Sequence, residues 1–213
     1  IKKVLFNGQK PEPVKQAPCV KKNEAFKTSG QVQYVAQNGN FRKKGLEYTG
    51  ALEILKVILS YDYLWINLRV KGGAYGCMSG CKRTGASFLV SYRDPHLKRT
   101  LEVYQGVPDY IRAFEADERE MTKYIIGTIS NKDVPRTPQM QGSISKTAYF
   151  SNVTEDMLQK ERNQILGAQK EDIQKLAALV EAVLSDDQIC VVGSETAIEK
   201  AEDVFMEVKP LIG

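Results

Sequence analysis

The sequence predicts an α+β fold: a two-layer domain in which an antiparallel sheet is covered on one face by helices. Three observations point there. Strand-like segments are few and mostly hairpin-like. Helical patterns are many. The helices fall outside the strand pairs. With 213 residues, 42% of them hydrophobic, the chain is long enough to bury a full core without disulfides or a metal.

In chain order, residues 1–30 carry Pro11, Pro13, Pro18 and many lysines without a period, and read as an extended connector from upstream domains. Residues 31–213 read as the domain itself, and the start at Ile1 rather than Met leads us to expect sequence before it. Gln31 to Gln37 alternates polar and apolar residues, the mark of a half-buried strand, and Asn38-Gly39-Asn40 ends it with turn chemistry. Ala51, Leu52, Leu55, Ile58 and Leu59 keep helical spacing; Ser60 is expected to interrupt that helix and cap a second piece with Leu64, Trp65 and Leu68. Gly72-Gly73 stops it.

Residues 76–93 predict a hairpin, and Asp94-Pro95 predicts a helix start, bent near Gly106 and Pro108. Asp117 and Glu120 have capping-box spacing for the next helix. A loop over 131–141 precedes helices near 142–150, 154–166 and 170–184. A buried strand follows at 188–192, then a last helix after Ser194.

Thirty Lys and Arg against 26 Asp and Glu give a net charge of +4, interspersed rather than blocked. Short clusters such as Arg42-Lys43-Lys44 lack a surrounding basic stripe, so no nucleic-acid partner is expected. No apolar run reaches the ~18 residues of a membrane span, and four scattered cysteines suit a reducing compartment, so a soluble intracellular protein is expected. Cys77 and Cys81 have no second Cys or His pair to complete a tetrahedral zinc site. The single histidine, His96, cannot supply the pair that a hydrolytic zinc centre typically needs, and a Ser-His-Asp triad would rest on it alone, with no nucleophile elbow in the sequence. His96 reads as a surface or cap residue.

The most unusual stretch is Lys71-Gly72-Gly73-Ala74-Tyr75-Gly76. A phosphate cradle wants a strand before the glycines and a helix after them, and here the order is reversed. A helix cap followed by a tight turn is one reading of these glycines. Arg69 and Tyr75 on either side open another: a forked donor and a phenolic donor held by tight backbone can converge on a carbonyl or oxyanion.

The run from Leu68 to Gly76 resembles the C-terminal-half signature of the presequence-protease and falcilysin branch of the pitrilysin/insulinase metallopeptidases. Tyr63-Leu64-Trp65, Ser91-Tyr92-Arg93-Asp94-Pro95-His96-Leu97, Asn23-Glu24-Ala25 and Gln31-Val32-Gln33-Tyr34-Val35 are similar to that branch too. The resemblance implies the fourth domain of a hinged clamshell, with helices against one face of an antiparallel sheet. It implies that Zn2+ is held by the N-terminal half of the same polypeptide, on an inverted His-x-x-Glu-His helix that this chain lacks. Arg69 and Tyr75 are then the residues that reach an unfolded peptide substrate in the closed chamber, with Gly72 and Gly73 in the substrate-binding turn. On this reading the chain alone is inactive. A non-catalytic assembly subunit of the same fold and an unrelated peptide-binding module remain as alternatives.

Overall fold

The computed structural model describes residues 20–212. Six strands form one sheet in the order β3-β4-β2-β5-β1-β6: β1 (Glu24–Thr28), β2 (Gln33–Asn40), β3 (Gly76–Cys81), β4 (Ala86–Asp94), β5 (Gln188–Ser194) and β6 (Glu207–Pro210). The α+β class holds, with one refinement. β2, β3, β4 and β5 pair antiparallel, but β1 lies parallel to both β5 and β6, so the sheet is mixed.

The connector reading needs correction. Residues 1–19 lie outside the described residues, but Glu24–Thr28 is an interior strand of the sheet, paired with a segment some 165 residues later in the chain. Its partners are remote in sequence and its neighbours are prolines and lysines, so no local signal marked it.

Alternation along the strands decides which side is covered. Val35, Val191 and Ala25 form one row across β2, β5 and β1 and are buried under the helices. On the opposite side Tyr34, Met78 and Tyr92 are exposed. The helical layer is α1 (Ala51–Ile58), α2 (Lys98–Gln105), α3 (Val107–Arg112), α4 (Glu118–Lys132), α5 (Pro138–Phe150), α6 (Glu155–Leu166), α7 (Lys170–Gln174), α8 (Ala177–Leu184) and α9 (Glu195–Glu199). Ile54, Ile58, Tyr104, Ile111, Ile165 and Ile173 are among its fully buried side chains, and the Tyr104 hydroxyl donates to the Val35 carbonyl at 3.1 Å.

Several local expectations are met. The hairpin forms, the Asp117–Glu120 capping box is complete, and Ser194 caps α9 through the Ala197 N–H. Others are not. Ser60 caps nothing: the helix runs on from α1 through two π-helical stretches, Leu59–Tyr63 and Trp65–Val70. Asp94-Pro95 does not open a helix, since α2 begins at Lys98, and α4 and α5 take up most of the expected 131–141 loop. β6 is a further strand that the sequence did not signal.

Candidate functional site

The site is built where the α1 continuation hands the chain to the sheet. In its last turns Leu64 and Leu68 point into the core, while Trp65, Ile66, Arg69 and Val70 face solvent. The wide turn shows in the Lys71 N–H, which donates to the Ile66 carbonyl five residues back at 2.9 Å. π-turns shift the phase of a helix by an added residue and recur at functional sites for that reason. The helix end is then closed by Gly73, whose φ of 78° is the left-handed conformation that costs an L-residue a Cβ clash. Its N–H pairs with the Arg69 carbonyl and the next one, of Ala74, with the Leu68 carbonyl, both at 2.9 Å. Two orphan carbonyls of the helix end are thereby satisfied.

Gly72 has another task. It is buried, and a Cβ there would stand 2.4 Å from the Leu68 carbonyl oxygen. Of the two glycines expected in a substrate-binding turn, only Gly73 presents backbone to solvent.

Tyr75 follows the turn and enters edge strand β3. Its N–H is shared between the Tyr92 carbonyl at 3.1 Å and the Arg93 carbonyl at 3.3 Å. Tyr75 is 62% exposed. An Arg69 N–H donates to the Tyr75 carbonyl, and the Arg69 guanidinium lies 4.3 Å from the Trp65 ring centroid and 5.7 Å from that of Tyr75. Arg69 and Tyr75 therefore stand side by side, exposed, on one face of the domain. Only one of the five guanidinium donors is used in that contact. The pair opens onto the uncovered side of the sheet through an aromatic row. Tyr75 meets Tyr92 edge-on with centroids 5.6 Å apart, and Tyr92 meets Tyr34 at 5.4 Å. A second guanidinium, of Arg93, lies 5.8 Å from the Tyr75 ring centroid.

Burial pushes the Cys77 and Cys81 thiols above their ordinary values, so neither is an activated thiolate, although the Arg69 cation pulls Cys77 the other way. His96 is exposed, with its backbone N–H on the Asp94 carboxylate. Among the described residues no group of three or more His, Cys, Asp or Glu side chains is arranged to hold a metal ion. Nor is any helix of the described residues long and apolar enough to cross a membrane.

The profile of the PreP C-terminal domain matches residues 23–195, most of the chain. This chain belongs to the PreP C-terminal domain family. Protein HypA of Clostridium perfringens is 49% identical over 90% of the chain, which covers 20% of HypA. Presequence protease 1, chloroplastic/mitochondrial, of Arabidopsis thaliana is 33% identical over 88% of the chain, which covers 18% of that protein. The chain thus spans about a fifth of the length of these relatives. The fold is shared with a protease from Helicobacter pylori (TM-score 0.59, 17% identity, covering 88% of this chain and 48% of that one). It is shared as well with a peptidase M16 inactive domain from Pseudomonas fluorescens (TM-score 0.58, 16% identity, covering 96% and 47%). The PreP C-terminal domain match encloses the whole segment from Arg69 to Arg93.

Sequence reasoning singled out Arg69 and Tyr75, and the structure brings them together. It did not single out Trp65 and Arg93, which complete the surroundings of both. Both stand in segments that carry the family resemblance, but no local pattern in the sequence marks Arg93 as outward-facing.

Proposed function

We propose that this chain is the C-terminal, non-zinc-binding domain of a zinc-dependent peptidase that cleaves unfolded peptides in a closed chamber. The observation that carries this is the exposed Arg69–Tyr75 pair, held by a capped helix end and an edge strand in a member of the PreP C-terminal domain family. Among the described residues no cluster of His, Cys, Asp or Glu suits a zinc ion, and on this reading the N-terminal half of the same polypeptide would hold the metal, which would supply an activated water. Tyr75 donates its phenolic proton in a hydrogen bond to the oxyanion that forms at the scissile carbonyl. Arg69 has donors left to hold a neighbouring backbone carbonyl in register. Both open onto the same side as the uncovered sheet face, which is the side left for substrate and for the rest of the polypeptide.

Tyr75→Phe in the full-length protein tests this. Tyr75 is largely exposed, and its hydroxyl is not needed to hold the ring, since the backbone N–H and ring contacts remain. We expect kcat to fall about 100- to 1,000-fold with KM and melting temperature nearly unchanged, the signature of a donor used in the transition state. A rate within about twofold of the parent removes Tyr75 from the chemistry.

A further inference from the structure

The segment Ser91-Tyr92-Arg93-Asp94 is not explained by the pair itself, and its geometry is unusual. On β4 the side chains of Ser91 and Asp94 are buried, while Tyr92 and Arg93 are both exposed. Two successive residues face outward because the register slips: Gln33 pairs with Asp94 and Val35 with Ser91, so Tyr34 alone opposes Tyr92 and Arg93. This is a β-bulge. Without it the alternation of β4 would send the Arg93 side chain under the helices. Arg93 also has φ of 49°, a left-handed conformation natural to glycine or asparagine and strained for arginine.

Nothing ordinary repays that strain. Arg93 is exposed and takes part in none of the ion pairs among the described residues. What it faces is the Tyr75 ring, on which Arg69 also lies. The backbone of the bulge acts on the same residue, since the Tyr92 and Arg93 carbonyls share the Tyr75 N–H. The far end of the bulge is locked by Asp94, whose buried carboxylate accepts from the His96 N–H at 2.9 Å and the Thr100 hydroxyl at 2.7 Å. Pro95 lies against the glycine turn, 3.5 Å from where a Gly73 Cβ would stand. Two left-handed residues, Gly73 and Arg93, thus bracket Tyr75.

We propose that the Tyr92–Arg93 bulge positions Tyr75, and that Arg93 is a positioning residue for the reaction. This rests on the role assigned to Tyr75 above. The bulge turns the Arg93 cation outward over the ring, and together with the Tyr92 edge contact it limits the directions the phenol can take. Backbone strain persists in native proteins where the surroundings over-determine it, and it clusters at functional sites.

The test is a set of variants of the full-length protein: Arg93→Asn, Arg93→Lys and, as the reference, Tyr75→Phe. Asparagine tolerates the left-handed backbone and removes the cation. We expect Arg93→Asn to melt at the parent temperature or above it while kcat falls about tenfold, because small misplacements of a reacting group are costly. KM stays within about twofold, as for a residue that acts on the transition state. Arg93→Lys, which keeps a cation over the ring, recovers most of the lost rate. If Arg93→Asn keeps the parent kcat while Tyr75→Phe loses it, the positioning role of the bulge is wrong and the role of Tyr75 stands. If Tyr75→Phe also keeps its rate, the reading beneath this one has failed and this one fails with it. A joint fall of melting temperature and kcat in Arg93→Asn, with no recovery in Arg93→Lys, makes the bulge structural only and overturns the proposal.

Discussion

At the scale of single residues, the two glycines show how one dipeptide divides its labour. Gly73 is needed for its backbone angle and Gly72 for the space it leaves. Gly73→Ala adds a methyl that meets nothing closer than 3.5 Å, so its cost is the left-handed penalty, about 1–2 kcal/mol. Gly72→Ala drives a methyl against the Leu68 carbonyl, which backbone alone can relieve, so it is expected to cost more than Gly73→Ala. Urea unfolding of the two variants checks the order, and the reverse order would mean that the turn relaxes freely at Gly72. This division was half legible in the sequence. A glycine pair after a helical run states that a helix stops, but not which glycine is pressed against the preceding turn. Arg69 and Tyr75 were legible because they flank that turn. Arg93 was not, because a plain hairpin gives it the inward face and only the bulge reverses it.

Among the elements, the departures from expectation have a common cause in long-range packing. The helix was expected to break at Ser60 because serine caps helices. Instead the buried leucines continue at Leu59, Leu64 and Leu68, first five residues apart and then four. A five-residue step fits a π-turn, so the spacing itself held the clue, but only a core that demands both leucines on one side reveals it. The hairpin and the capping box of α4 were legible because their signals are local. The tip of the hairpin is fastened by a contact that no local pattern announces. The Arg83 guanidinium grips the carboxylate of Glu161 on α6 through two N–H donors. Glu161 is buried, whereas Arg83 is about one-third exposed. Glu161→Gln keeps the shape but loses the charge and leaves the guanidinium poorly paired. A fully buried pair broken this way costs about 3–5 kcal/mol and an exposed one about 0–1, so an intermediate loss of about 1–3 kcal/mol is expected. Denaturant unfolding measures it, and a variant as stable as the parent would show that water satisfies Arg83 at no cost.

For the molecule as a whole, tyrosine carries much of the join between the helical layer and its surroundings, and this makes the fold sensitive to alkali. Of the ten tyrosines, five are held above their ordinary ionisation range. Burial is the first cause for each. Tyr104 is wholly buried, Tyr48 adds a hydrogen bond to the Glu53 carboxylate, and Tyr124 adds one to Asp62. Tyr110 is pushed up to about 12, and burial likewise raises Tyr63. In the unfolded chain these phenols lose their protons near pH 10. Below that pH both states are protonated and the stabilisation is fully present. Above it the unfolded chain binds fewer protons than the native one, so stability falls as pH rises from about 10 through the native values. Ultraviolet difference absorbance and circular dichroism, followed together across this window, should show the phenolate signal of the wholly buried Tyr104 appearing only as the helical signal is lost. Replacing Tyr104 with Phe removes one titrating group, at the cost of the hydroxyl's bond to Val35, and should shift the alkaline midpoint upward relative to the variant's own neutral stability. Ionisation of all ten tyrosines with the fold intact would show that the buried phenols reach solvent, and that the helical layer opens far more easily than its packing implies.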